Sequence, residues 1–190
     1  MTKQAPGTSL FARLARYAEG ADPISDAANT VALVIAGNQP FYPIYLFAIA
    51  GEKGWPSLLT WFSTPLFLAV PALGRRNSVA GRALLCIAGL GNTAISNLAL
   101  GGASGIPLFY LPCLILCLAL FGRGERLVQA GLVGTTVAIT LALGRIPAWL
   151  GAFSPEELHS LQRVHGFSVA CLTLFLAILL TRAYRRVATP

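Results

Sequence analysis

Residues Ala83 to Gly122 read ALLCIAGLGNTAISNLALGGASGIPLFYLPCLILCLALFG, forty consecutive positions without Asp, Glu, Lys, Arg or His. A helix needs about 20 mostly apolar residues to cross a hydrocarbon core about 30 Å thick. This run is therefore two spans, and Gly101-Gly102-Ala103-Ser104-Gly105 is where the chain turns back. The pattern repeats outward: residues 27–51, 54–74, 127–144 and 164–181 also lack Asp, Glu, Lys and Arg, and each is one span long. The fold class read from this is an all-α integral membrane protein. It is a six-transmembrane-helix bundle with spans at about 29–50, 55–73, 82–100, 105–121, 126–145 and 163–183.

Composition agrees. Of 190 residues 55% are hydrophobic and 11% charged, against about 25% charged in a soluble domain. A disordered chain, a coiled coil and a nucleic-acid-binding module are excluded. No connection is long enough to hold a soluble catalytic unit. The net charge of +7 matters through its placement. Lys3, Arg13, Arg16, Arg75, Arg76, Arg82, Arg123, Arg126, Arg182, Arg185 and Arg186 fall on one side of the spans, and Lys53, Arg145 and Arg163 on the other. The positive-inside rule makes the first set cytoplasmic. Both termini are then inside, with a cytoplasmic segment 1–28, the membrane domain 29–183 and a cytoplasmic tail 184–190. The excess of Arg over Lys, with abundant Ala, Gly and Leu, suits a bacterial inner membrane.

The first apolar run starts near Ala27 and is too long for a signal peptide. Ser9 to Glu19 places Leu10, Phe11, Leu14 and Tyr17 on one helical face, the pattern of an amphipathic interfacial helix. Ser154-Pro155-Glu156-Glu157 reads as a capping box that opens a short periplasmic helix, about 155–163, before helix 6.

Polar residues inside the spans are the ligand-pocket candidates. Helix 1 holds Asn38-Gln39-Pro40-Phe41-Tyr42-Pro43. The prolines free the carbonyls of Ala36 and Gln39, and Asn38, Tyr42 and Tyr45 share a face. Two readings stay open: a discontinuous helix lining a site, or a kink whose polar residues satisfy the backbone. Helix 3 carries Asn92, Thr93, Ser96 and Asn97 beside Gly89, as pocket or as interhelical glue. Thr60, Ser63 and Thr64 from helix 2, Tyr110 from helix 4, and His165 and Ser168 from helix 6 add to the set. By depth Asn38, Thr64 and Asn92 lie near the midplane. Ser96, Asn97, Tyr110 and His165 lie in the outer half, as in a shallow cavity open to the periplasm.

Cys86, Cys113, Cys117 and Cys171 all fall inside spans, fit no zinc spacing and read as packing residues. His159 and His165 are six apart and cannot share a haem from one helix. The sequence asks for no cofactor and no metal. Ala130, Gly134, Ala138 and Ala142 form a small-residue stripe on helix 5, read as an internal contact, with a homodimer seam as the alternative. No span has a central carboxylate, which disfavours proton- or cation-driven transport, and no catalytic motif is present. The expectation is a protein that is not an enzyme.

Leu100-Gly101-Gly102-Ala103-Ser104-Gly105-Ile106-Pro107-Leu108-Phe109-Tyr110-Leu111-Pro112, followed by an apolar run to Leu120-Phe121-Gly122 and then Arg123 and Arg126, resembles part of a known family. It is similar to the middle of the six-helix membrane input region that precedes bacterial class III adenylate cyclases and some histidine kinases. The resemblance covers about 30–183. It implies a sensor-like module, with a signalling helix and catalytic domain after helix 6. Ending at Pro190, the chain is expected to act through a partner membrane or signalling protein. The function expected is a sensor-like module in the lipid bilayer that binds a small ligand or regulates a partner. A small transporter or channel subunit and a structural accessory subunit are the alternatives.

Overall fold

The computed structural model describes residues 10–150 and 152–189, with side chains from Ala12 onward. All regular structure among them is helical. Helix α1, Leu10–Ala18, is the expected amphipathic helix; Lys3, Ser9 and the side chains of Leu10 and Phe11 lie outside the described residues. It is pinned to the bundle. Tyr17 donates its hydroxyl to the Leu68 carbonyl at 2.7 Å, and Asn29 donates to the Ala18 carbonyl at 3.0 Å. The Arg75 guanidinium sits 4.7 Å from the Tyr17 ring centroid.

Helix α2, Pro23–Asn38, starts on Asp22, whose side chain accepts from the N–H groups of Ile24 and Ser25, both at 2.9 Å. Asn38 leads into a 3-10 turn, Gln39–Phe41, and then into α3, Tyr42–Ala50. The discontinuous helix considered from Pro40 and Pro43 is thus a continuous rod with one tightened turn. The Gln39 carbonyl accepts from the Tyr42 N–H and from the Trp61 indole at 3.3 Å, so hydrogen bonding holds the rod together where proline removes donors.

Gly51, at φ 56, turns the chain. The next segment departs from the α-helix expected at 55–73: Gly51–Ser63 is a 3-10 helix of thirteen residues, leading into α4, Thr64–Arg76. Three residues per turn put Gly54, Ser57, Thr60 and Ser63 on one buried face. Ser57 donates to the Gly54 carbonyl at 2.6 Å and Thr60 to the Ser57 carbonyl at 2.7 Å; Ser63 Oγ lies 2.7 Å from the Thr60 carbonyl and shares its single proton between that carbonyl and Asn92 Oδ1. Local hydroxyl bonds of this kind compete with α geometry.

Helix α5, Ser78–Leu100, is central, packing on α2 and α4 and on the helices after it. It meets α4 at a glycine crossing, where a Cβ on Gly81 would lie 2.6 Å from the Gly74 Cα. After the turn at 101–105, two short 3-10 segments lead to α6, Tyr110–Ala119, shorter than the expected 105–121 because Gly105 (φ 87) and Pro107 hold the first turns out of α geometry. Helix α7, Arg126–Leu143, is peripheral. Its Ala130, Gly134, Ala138 and Ala142 are exposed, so the internal contact expected of that stripe is not made. Leu132, Val133 and Thr136 face the bundle instead, since larger side chains bury more apolar area.

Helix α8, Pro155–Ala188, runs 34 residues. The short helix expected at 155–163 is the first part of α8 and runs without a break into the span that follows. The capping box is as expected: Glu157 N–H donates to Ser154 Oγ at 3.2 Å, and Ser154 N–H to Glu157 Oε2 at 2.6 Å. No proline after Pro155 breaks the helix. At about 1.5 Å per residue α8 is about 51 Å long, well beyond the hydrocarbon thickness.

Four stretches are long and apolar enough to cross a membrane: Pro23–Arg76, which folds back at Gly51, Ser78–Leu100, Arg123–Leu143 and Pro155–Ala188, with a shorter apolar helix at Ile106–Ala119. Phe41, Ile44, Phe62, Leu127, Leu141 and Leu174 are exposed, an apolar exterior that only lipid or another apolar partner can cover. The molecule is a membrane protein.

The loops collect at two ends. One end joins α1, residues 75–82, residues 120–126 and the last turns of α8. Arg82, 8% exposed, donates to the Leu120 carbonyl at 2.6 Å and to Glu125 Oε1 at 2.7 Å. Tyr184 bonds the Ala119 carbonyl. The other end joins residues 51–57, 101–109 and 144–157. There Gly102 N–H donates to the Ile146 carbonyl at 2.9 Å, and Lys53 pairs with Glu157 at 3.0 Å.

Candidate functional site

The rod α2–α3, helices α5 and α6, and α8 surround a cavity of about 1410 Å³. It exceeds the ~300–1,000 Å³ of an ordinary small-molecule pocket. On α8 its wall runs from Ser160 to Phe175, about 22 Å of helix. At the Lys53 end stand Ile49, Phe109, Ser160 and Arg163; deep toward the arginine-rich end stand Leu33, Phe67, Leu116 and Phe175. Tyr45 and Phe167 belong to the wall yet are 53% and 73% exposed. They mark a rim where the cavity meets the exterior of the bundle.

The candidates separate into three groups. Asn38, Gln39, Tyr42, Tyr45, Thr60, Asn92, Thr93, Ser96 and Ser168 lie on the wall. Thr64 and His165 stand behind it. Thr64 donates its hydroxyl to Gln39 Oε1, and Gln39 Nε2 donates to Ser63 Oγ at 2.6 Å. Ser63 also reaches Asn92 Oδ1 at 2.8 Å. One chain of bonds thus ties α2, the 3-10 helix and α5 at a single level. His165 is buried, its Nδ1 2.7 Å from the Ser104 carbonyl and its Nε2 3.0 Å from the Tyr42 hydroxyl. A carbonyl only accepts, so Nδ1 carries the proton and Nε2 accepts from Tyr42. This fixes the Tyr42 ring on the wall. The third group is turned away: Asn97 donates to the Leu143 carbonyl at the end of α7, and the buried Tyr110 hydroxyl has no hydrogen-bond partner among the described residues.

Although Asn38 and Asn92 were expected at one depth, it is Gln39, through Ser63, that meets Asn92; Asn38 makes no such contact, and its side chain is exposed on the cavity wall. Asn97 does not share the face of Asn92, because α5 turns five residues between them by about 500°, or about 140° net.

Arg163 belongs to the site although the sequence pattern did not single it out, and Ser63, one of the hydroxyls offered by helix 2, owes its place to the 3-10 geometry. Ser63 is part of the period-three series Gly54, Ser57, Thr60, Ser63, which an α-helical period hides. Arg163, Phe167, Cys171 and Phe175 take an i, i+4 course along α8, obscured when the span is started at 163. Cys113 and Cys171 are on the wall, while Cys86 and Cys117 are buried outside it. Among the described residues no group of His, Cys, Asp and Glu is placed to hold a metal.

Outside the spans, the Glu157 carboxyl is held below its usual range by the Ser154 N–H and by Lys53. At Asp22 partial burial pushes the pKa up. The Ser25 hydroxyl and N–H, with Arg82 nearby, outweigh it and leave the carboxyl below its usual range.

Comparison with known proteins adds one match. The family model of MASE7, a membrane-associated sensor domain family, matches residues 16–186. No curated protein and no solved structure matches. The match spans most of the chain, and the chain belongs to the MASE7 family.

Proposed function

We propose that this MASE7 domain is a bacterial inner-membrane sensor, not itself an enzyme. It holds a small ligand in the cavity and reports occupancy through α8 to a partner signalling protein. The observation that carries the reading is the course of α8. The same unbroken helix forms the cavity wall from Ser160 to Phe175 and then runs on to Ala188 beside the Arg82–Glu125 pair. A helix without a proline or bulge transmits a shift at one end to the other. The Pro23–Arg76 stretch, folded at Gly51, supplies two spans, and α5, the 106–119 segment, α7 and α8 supply four more. The charge asymmetry, with ten of the described basic residues at the α1 end against Lys53, Arg145 and Arg163 at the other, supports cytoplasmic termini. The transporter alternative drew on a broken first helix, and that rod is continuous. Should a second copy bind, the face it would use is the outward stripe of α7.

Native mass spectrometry of the chain released from its own membranes tests the proposal. A bound small molecule accompanies the wild type and is lost from Ser168→Phe, which fills the cavity from α8. A bare wild-type chain, or equal occupancy in the variant, contradicts it.

A further inference from the structure

Resting on the sensor reading, we propose that the cavity takes an anionic amphiphile, with its head on Arg163 and its hydrocarbon tail running inward along α8. Arg163 is, among the described residues, the sole charged residue of the cavity wall. Among the described residues the two ion pairs are Lys53–Glu157 and Arg82–Glu125, so Arg163 has no carboxylate partner. An unpaired guanidinium at the mouth of an apolar cavity favours a carboxylate or phosphate, which it can hold through two parallel hydrogen bonds. Ser160, one turn earlier, adds a hydroxyl beside it.

The remainder of the wall selects a tail. Beyond Phe167 and the small Ser168 the lining includes Cys171, Leu172, Phe175, Leu116 and Phe67. A hydrocarbon core about 30 Å thick shared by two leaflets gives one acyl chain a reach of about 15 Å. The wall from Ser160 to Phe175 is about 22 Å long, which accommodates that chain together with its head. Two of the three amides on the wall are turned to protein partners: Gln39 is satisfied by Ser63 and Thr64, and Asn92 Oδ1 faces Ser63, while Asn38 is exposed on the wall. The rim at Tyr45 and Phe167 faces the apolar exterior, so a membrane-dissolved molecule enters without crossing water.

A free fatty acid and an anionic phospholipid share this chemistry. The test uses the full chain in phosphatidylcholine nanodiscs and a long-chain fatty acid with a photoreactive diazirine near its methyl end. Oleate, dioleoylphosphatidylglycerol and oleyl alcohol are the competitors. Crosslinks are expected at Leu172, Phe175 and Leu116. Oleate competes if the source is a free acid and the phospholipid if it is a lipid headgroup, in either case at least tenfold better than the alcohol. Arg163→Gln weakens labelling at least tenfold, and Arg163→Lys restores most of it. Equal competition by oleyl alcohol, or full labelling of Arg163→Gln, overturns the anionic head and leaves the cavity standing. Labelling unchanged by Ser168→Phe, or absent at every cavity residue, overturns the cavity as the ligand site.

Discussion

Replacing Gln39 with Leu removes the centre of the bond chain between α2, the 3-10 helix and α5. Gln39 donates to Ser63 at 2.6 Å and accepts from Thr64. Interhelical side-chain hydrogen bonds in membranes average about 0.6 kcal/mol, with a maximum of about 1.7. Two lost contacts make Gln39→Leu destabilising by about 1.2 kcal/mol. Ser63→Ala loses the bonds to Gln39 and Asn92 and costs a similar amount. The double variant costs less than the two singles added, by about the 0.6 kcal/mol of their shared bond. Asn38→Leu, one residue away, costs close to nothing, because Asn38 lines the cavity outside this chain. Unfolding of purified protein in mixed micelles by increasing SDS measures all four. A loss in Asn38→Leu equal to that in Gln39→Leu, or strict additivity in the cycle, would refute the assignment.

The geometry sets other outcomes. Arg82→Met strips charge-assisted bonds from Leu120 and Glu125 and lowers stability in the same assay by about 1.5–3 kcal/mol. Gly81→Val drives a side chain into the Gly74 backbone and costs about 1–3 kcal/mol. Gly134→Ala meets open space in α7 and raises stability by up to about 1 kcal/mol. Asp22 and Glu157 have lowered carboxyl pKa values in the fold. Their stabilisation is therefore complete above the unfolded values of about 3.9 and 4.3 and is lost as pH falls through the lower folded values. Pulsed exchange across that range shows fraying of the α2 and α8 N-termini first. Glu156→Cys labels with an impermeant thiol reagent from the periplasmic side, and labelling only after permeabilisation contradicts the orientation.

The helical rods were legible because charges are scarce and sit where the chain leaves the hydrocarbon, so Ala83–Gly122 alone announces a pair of them. The capping box at Ser154 was legible because its chemistry is local. Less legible was anything that depends on which face of a rod meets which neighbour. Asn38 and Gln39 are adjacent, chemically alike and both on the cavity wall, yet one is exposed there and the other is buried among hydroxyls. That difference is set by the 3-10 turn at Gln39–Phe41. The stripe on α7 shows the same limit, since small residues permit a close contact without requiring one. The 3-10 stretch at 51–63 is hidden in the sequence because an apolar segment fits the α-helical period equally well.

The central claim is that α8 carries the state of the cavity to the cytoplasmic end. Hydrogen exchange read by mass spectrometry, on wild type and on Ser168→Phe in the same nanodiscs, tests it most directly. Filling the cavity changes exchange at 182–188, where α8 passes the Arg82–Glu125 pair, and leaves α7 as it was. Unchanged exchange at 182–188, with the cavity shown to be filled, would contradict the account.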